Sequence, residues 1–397
     1  MFHFRSQIIS FRLFICSRQL IRSSNIYQWQ RGIVILGGDG IVFEVINGIM
    51  ERLDWQKAME KITLGIIPCG SGNGLAKSIS YYCNEPFDEN PILVSTLNIL
   101  CGVPVPLDLM RFENKSKTVY SFLSVGWGII ADIDIESERL RAIGSQRFTV
   151  WSLARIIGLR KNKGRLSFLR ISDEKLLSRM RRENLTTTLS RSFSDCLADF
   201  SSPLSSYRSL NQIDSLSLET KECSTYNRRD SFHSLCSKKS AYLSANESDY
   251  LSFSDDFNSL NVQMFGPPSQ IPSLTQPVPP HWTVYEGEFI MVHAVCVSHI
   301  ATDCLIAPES KFRDSIIWLI VIRAGVSRTN LLQVLMGLSS GTHVNVPGVE
   351  MIPVQAFRLE PESTGSHIVV DGELLEYEPF QVEIVPGVAS VFSRLSQ

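Results

Sequence analysis

The reading of this chain turns on Gly32-Ile33-Val34-Ile35-Leu36-Gly37-Gly38-Asp39-Gly40, continued by Ile41-Val42-Phe43-Glu44-Val45-Ile46-Asn47-Gly48-Ile49-Met50. A short apolar run ends in glycines. Ile41, Val42, Val45, Ile46, Ile49 and Leu53 then recur at helical spacing, which predicts strand, glycine loop and helix. The same grammar returns at once: Leu64 to Ile67 is apolar, Pro68-Cys69-Gly70-Ser71-Gly72-Asn73-Gly74 is a loop, and Leu75 to Ile79 can begin a helix. Two consecutive units of this kind imply a parallel sheet. In such sheets the loops after the strands sit side by side and face the ligand crevice.

Beyond about Pro106 the pattern changes. Tyr120 to Val125, Val354 to Leu359, His367 to Val370 and Gln381 to Val385 are short β-rich pieces joined by Gly and Pro turns, which suggests antiparallel sheets. Helical stretches interrupt them at about Ile135 to Leu159 and Val326 to Leu338. Residues 171–280 are Ser-rich, poor in aromatics and end in prolines, the composition of a largely disordered insertion in a surface loop. Arg228-Arg229-Asp230-Ser231 and Arg191-Ser192-Phe193-Ser194 within it suit a regulatory basophilic protein kinase, although a solvated linker explains them more simply. The division read from sequence is thus an atypical segment at 1–30, an α/β domain at 31–106 and a β-rich domain at 107–397 that carries the insertion.

Bulk properties narrow the function classes. A formal net charge of −2 gives no global attraction to nucleic acid. The strongest apolar run, Ser315 to Ile322, is too short to span a bilayer, so any membrane contact is expected to be peripheral; the scattered cysteines make a reducing, cytoplasmic setting the simplest expectation. Nine cysteines without a C-x-x-C pair suggest neither a zinc site nor a disulfide framework. Between Met1 and Gly38 there is no acidic residue, while Arg5, Arg12, Arg18, Arg22 and Arg31 punctuate the stretch. That is the composition of a mitochondrial-type presequence, or of an alternative first exon.

Four motifs can carry chemistry. In Gly37-Gly38-Asp39-Gly40 the glycines let the backbone approach a phosphate, and the next helix offers free N–H groups. A carboxylate there would sit where a hydroxyl nucleophile meets a γ-phosphate. Alone, Asp39-Gly40 reads as a turn; between a buried strand and an amphipathic helix the phosphate reading is favoured. Gly70-Ser71-Gly72-Asn73 lacks the lysine of a P-loop, and a tight turn capped by Ser71 or Asn73 explains it equally well. The charge run from Asp132 to Arg141, with Arg147 beyond, has the spacing of a solvated helix face. It follows the turn Gly126-Trp127-Gly128, however, so its arginines could reach phosphate oxygens. Asp371-Gly372-Glu373 reads locally as a hairpin turn.

Together these residues resemble the sphingosine kinases. Gly37 to Arg52 followed by Asp54-Trp55 carries the likeness. So do Pro68 to Asn73, Trp127-Gly128 through Glu138, His281 to Val284, Val321 to Arg328, Phe357 to Pro361 and Val370 to Glu373. The resemblance covers about Gly32 to Val391 outside the insertion. It implies an α/β nucleotide-binding domain plus an antiparallel β-sandwich domain, with ATP and Mg2+ as cofactors and a sphingoid base as the lipid partner. By the family pattern Asp39 is the general base. Gly37, Gly38, Gly40, Glu44, Gly70, Ser71 and Gly72 belong to the nucleotide region, and Arg141 and Arg147 hold phosphates. Asp371, Gly372 and Glu373 touch ATP from the second domain. Asp134 accepts the sphingoid ammonium, and Ile130, Phe148 and Leu305 line the tail pocket. No residue is assigned to bind a metal. The resemblance departs at the front, where the family's first phosphate loop and the Thr-Glu-Arg segment are not recognisable. This leaves two other readings: a ceramide or diacylglycerol kinase, which Asp134 speaks against, and a truncated, non-catalytic lipid-binding isoform.

Overall fold

The computed structural model describes residues 17–29, 32–139, 146–172 and 263–394. All elements named below belong to one compact unit, Met1–Thr186 with Met264–Gln397; the second unit, Thr187–Gln263, lies outside the described residues except for Gln263. Of the segment read as a presequence, residues 1–16 fall outside them, as do the two basic-Ser motifs, whereas 17–29 are built into the fold, with Ile21 and Ile26 buried and Arg52 donating to the carbonyls of Ile21, Arg22 and Ser24.

The paired strand–loop–helix units form as expected. After α1 (Ser17–Ser23), strand β1 (Gly32–Gly37) leads into α2 (Asp39–Met50) and α3 (Trp55–Lys61). Strand β2 (Thr63–Pro68) leads into α4 (Gly74–Tyr82) and α5 (Pro91–Cys101). The two strands run parallel from Gly32↔Thr63 to Gly37↔Pro68, so they end level and their loops emerge side by side. Helix α2 is almost wholly buried, with Val42, Phe43, Val45, Ile46, Ile49 and Met50 in the core. Asn47 is buried among them and joins α2 to the β-rich part: its amide donates to Phe43 O and Tyr120 O, and its oxygen accepts from Tyr120 N, each at 2.9 Å.

Strand β3 (Val103–Asn114) begins the β-rich part and runs unbroken through residue 106. It is followed by β4 (Thr118–Ser121), β5 (Ser124–Gly128), α6 (Ile129–Ser137), α7 (Gln146–Ile157), β6 (Asn162–Arg170) and β7 (Thr283–Val295). Then come β8 (His299–Ala301), β9 (Cys304–Leu305), β10 (Ile317–Arg323), α8 (Arg328–Gly337), β11 (Val349–Pro361), β12 (Ile368–Val370), β13 (Glu373–Leu375) and β14 (Phe380–Ser393). The helical stretch expected at Ile135 to Leu159 is therefore two helices. The β-sandwich is built from long strands that change partners at bulges, the usual way a sheet turns a corner. Strand β11 pairs with β10 at one end and with β6 and β14 at the other, shifting register between Val354 and Ala356. Strand β14 pairs antiparallel with β3 and meets β2 in parallel at Val391↔Leu64, so hydrogen bonding continues into the α/β layer.

The last part of the expected insertion is built into the fold. Tyr120 Oη donates to Pro267 O and Phe265 N donates to Met50 O. The Arg358 guanidinium donates to the carbonyls of Pro272, Ser273 and Gln276. Residues 264–280 are thus an ordered strap, because a buried arginine and a tyrosine need the carbonyls that a proline-rich extended segment leaves free.

Strand β7 separates two apolar clusters. Val292 and Ala294 face the first, with Trp127, Phe357 and Phe380. Met291 and Val295 face the second, where Ile129 and Ile133 of α6, Ile156 of α7 and Leu331 and Val334 of α8 cover the sheet. Alternation along the strand puts His293 on this second face. It is buried, and burial pushes its pKa down to about 4. The imidazole is therefore neutral in the fold, while the unfolded chain takes up a proton near pH 6.5. Its contribution to stability is complete above that pH and is lost as the pH falls towards 4. In urea unfolding, the stability of His293→Leu relative to the parent should improve by about 2–3 kcal/mol from pH 7 to pH 4.5. A difference that does not change with pH would show a solvated imidazole.

Candidate active site

The chemistry collects where the two glycine loops meet. A Cβ on Gly70 would lie 2.4 Å from Gly38 Cα, and one on Gly38 would lie 3.1 Å from Gly70 Cα, so the loops touch backbone to backbone. Cys69 N also donates to Gly37 O at 3.1 Å. Asn73 takes the left-handed conformation at φ 58° and clamps its own loop, accepting from Gly70 N and donating to Gly70 O. Neither Asn73 nor Ser71 caps α4. That task falls to Asp39, the first residue of α2, whose carboxylate accepts from Gly74 N at 2.9 Å and Leu75 N at 3.3 Å. One unit's acid therefore caps the other unit's helix.

Burial pushes the Asp39 carboxyl above the usual range, and the amides of Gly74 and Leu75 pull it back down. The backbone of Asn73 and of Asp39 itself also favours the charged form. Gly72 leaves room beside the carboxylate: a Cβ there would come within 3.0 Å of Oδ2.

From the β-rich part, the β12–β13 turn reaches the same place. Asp371 and Gly372 both have positive φ, 51° and 88°, as a two-residue hairpin requires. Glu373 follows, and its Oε1 lies 3.9 Å from where a Cβ on Gly40 would be. Burial and then the charge of Glu44 raise the Glu373 carboxyl, while Lys117 and Arg18 oppose them. Gly37, Gly38, Asp39, Gly40, Glu44, Gly70, Ser71, Gly72 and Glu373 are thus brought together. Asp371 is not aimed at them. It is buried, and accepts from Ser121 Oγ and from the amides of Phe122, Leu123 and Ser124, holding the β4–β5 connection. Burial lifts it to about 7 against those bonds.

Two of the residues expected to meet the lipid, Ile130 and Phe148, pack against the second cluster. Ile130 and Asp134 lie one turn apart on α6, and Phe148 lies on α7. Leu305 hangs from α8, its N–H donating to Leu338 O at 2.8 Å. Arg141 and the side chain of Arg147 lie outside the described residues. Several contributors carried no sequence signal. Thr302 N donates to Gly72 O, tying the β8–β9 hairpin to the second loop. Asp132, buried beside Asp134, accepts from Ser366 Oγ and from His367 N and Nδ1 and so fixes α6. The Asp132–Arg141 run marked this helix as charged but did not separate the buried acid from the half-buried one.

Comparison with known proteins assigns this β-sandwich joined to an α/β layer, with an acid between two glycine loops, to the lipid kinases. The diacylglycerol kinase catalytic domain family matches residues 16–108, taking in α1, which the sequence reading had set outside. The family described as a YegS C-terminal NAD kinase beta sandwich-like domain matches residues 283–393. Sphingosine kinase 1 of Caenorhabditis elegans is 30% identical over 91% of this chain and 69% of its own length. Sphingosine kinase 2 of Homo sapiens is 32% identical over 95% of this chain, which spans 64% of that relative's length. A solved structure from Bacillus anthracis str. Sterne, bearing the name of a diacylglycerol kinase, matches in fold with a TM-score of 0.50 at 13% identity, over 95% of this chain and 80% of its own. The chain belongs to the sphingosine kinase family of lipid kinases.

Gly70→Ala tests the contact that assembles the site. A methyl group cannot fit against Gly38, so unfolding stability should fall by about 1–3 kcal/mol. Ser71→Ala, on an exposed neighbour, should stay within about 0.5 kcal/mol. Equal urea midpoints for the two variants would show that the loops do not depend on each other.

Proposed function

We propose that this chain is an ATP-dependent sphingosine kinase, transferring the γ-phosphate to the primary hydroxyl of a sphingoid base. The observation that carries the reading is the Asp39 carboxylate, raised by burial and held between two glycine loops, in a chain whose relatives are named sphingosine kinases. Gly37 to Gly40 and Gly70 to Gly72 hold the nucleotide, since a backbone without side chains lets a phosphate approach closely. Arg141 and Arg147 contribute positive charge to the same phosphates. Glu44 and Glu373 repel each other beside Gly40, and a cation between them and the phosphates would relieve that repulsion. When bound, ATP supplies the transferred phosphoryl group and Mg2+ neutralises its charge.

Asp39 accepts the hydroxyl proton as the substrate oxygen bonds to the γ-phosphorus and the bond from that phosphorus to the departing ADP oxygen breaks; its raised pKa makes it a competent base. Asp134 pairs with the ammonium of the base, and Ile130, Phe148 and Leu305 receive the tail. Diacylglycerol and ceramide carry no ammonium that could form this charge-assisted pair. The reading also assigns residues 31–106 to nucleotide binding and the β-rich remainder to lipid. Peripheral membrane contact fits the outer face of α7, where Val150, Leu153 and Ile157 are 51%, 53% and 69% exposed. No described helix is long and apolar enough to cross a membrane.

Asp39→Asn should lower phosphorylation of sphingosine by about 10²–10⁴-fold. Because the residue also caps α4 and Asn caps about as well as Asp, stability should fall only by the lost charge–dipole attraction, about 0.3–1 kcal/mol, without loss of the fold. Labelled ATP and circular dichroism on one preparation read both effects, and activity within a few-fold of the parent would refute the base. Asp134→Asn separates substrate recognition from phosphate binding. It should raise the KM for sphingosine by about 10- to 150-fold and leave that for ATP nearly unchanged. An increase confined to ATP would place Asp134 in phosphate positioning instead.

A further inference from the structure

Resting on the sphingoid-base reading of the cleft, we infer that His293 is a specificity-determining residue that selects long-chain bases bearing an additional hydroxyl just beyond the head group. His293 is 4% exposed, and neither ring nitrogen has a hydrogen-bond partner. Most buried polar atoms find a partner, and one left without costs free energy that a hydrocarbon side chain would avoid. Its neighbours on the sheet are apolar. Met291 and Val295 flank His293 along its strand, and Ile320 is its partner in β10. On the other side its partner is Gly126 of β5.

The fold makes room for this ring without satisfying it. A Cβ on Gly126 would lie 2.6 Å from His293 Nδ1 and 3.7 Å from Ala131 Cβ. Any larger residue at 126 would displace the imidazole, and the small Ala131 lies beside it at the start of α6. Asp134 is three residues further along that helix, about 4.5 Å at 1.5 Å per residue. The imidazole is thus held beside the stretch of α6 that precedes, by about one turn, the acid proposed to receive the ammonium, and we place it towards the first carbons of the tail. Burial keeps it neutral, with one N–H donor and one bare acceptor nitrogen. A hydroxyl can accept from the first or donate to the second, so it satisfies the ring in either tautomer. A hydrocarbon chain satisfies neither, and a site holding an unpaired polar group discriminates against the substrate that leaves it so.

The test compares 4-hydroxysphinganine with sphinganine, equal in length and differing by one hydroxyl, in mixed micelles with the parent enzyme, His293→Leu and His293→Met. Binding is followed by titration calorimetry and phosphorylation by labelled ATP. The parent should favour the hydroxylated base by about 5- to 10-fold in kcat/KM. Both variants should bring the ratio to about 1, mainly by losing efficiency on the hydroxylated base. Both should unfold in urea at pH 7.5 no earlier than the parent, since each removes an unpaired buried group. Equal use of the two bases by the parent, or a ratio that survives in both variants, would overturn the role of His293 and leave the sphingoid-base reading standing. Phosphorylation of diacylglycerol with no binding of either base would overturn both.

Discussion

Asp39 is the contact on which the rest of the site depends. Two parallel strands that end level bring two loops together, but parallel pairing alone would leave the loops free to diverge. They are joined because the start of α4 lacks a cap of its own: Asn73 spends its side chain on Gly70, and the N–H groups of Gly74 and Leu75 turn to Asp39. The backbones can close on each other only because Gly38 and Gly70 carry no Cβ. The position of α4 then sets that of the β8–β9 hairpin, through Ser78 and His299 N and through Gly72 O and Thr302 N. A single carboxylate so places the second loop, its helix and the neighbouring hairpin.

Buried acids do similar work elsewhere. Asp371 gathers the amides of the β4–β5 turn, and Asp108 accepts from Ser315 N and Gly387 N, two segments distant in sequence. Asp132 fixes the segment before β12 against α6. In each case a carboxylate meets backbone N–H groups that no strand partner reaches, which offsets the cost of removing both from water. The helices over the second cluster thus stand on a framework set by polar contacts, while the cluster itself is apolar apart from the His293 imidazole and the Trp318 indole N–H.

The parallel pair was legible because a hydrophobic period, a glycine loop and a second hydrophobic period repeat within a short stretch. The hairpin at Asp371-Gly372 was legible from its turn chemistry. What could not be read were facts of distance. Asp371 and Glu373 are two residues apart, yet one points into the β4–β5 turn and the other towards Gly40, because a tight turn sends successive side chains in different directions. The strap at residues 264–280 reads as linker by composition. Only the burial of Arg358 and Tyr120, far away in sequence, gives its carbonyls a use. The capping of α4 was equally invisible, since rules of local capping look within a few residues and Asp39 lies 35 residues from Gly74.

The capping role bears on the chemical one. An aspartate free in water is a weak base, and full burial without partners would instead keep it protonated and unable to accept a proton. Between these limits, desolvation raises Asp39 while the α4 amides hold its charge in place. The bonds that assemble the two loops also set the basicity of the group between them. Moving α4 by even a fraction of its hydrogen-bond length would shift the carboxyl upward as well as open the site. Architecture and reactivity at this position are one constraint, which is why an acid stands here rather than a neutral helix cap such as serine.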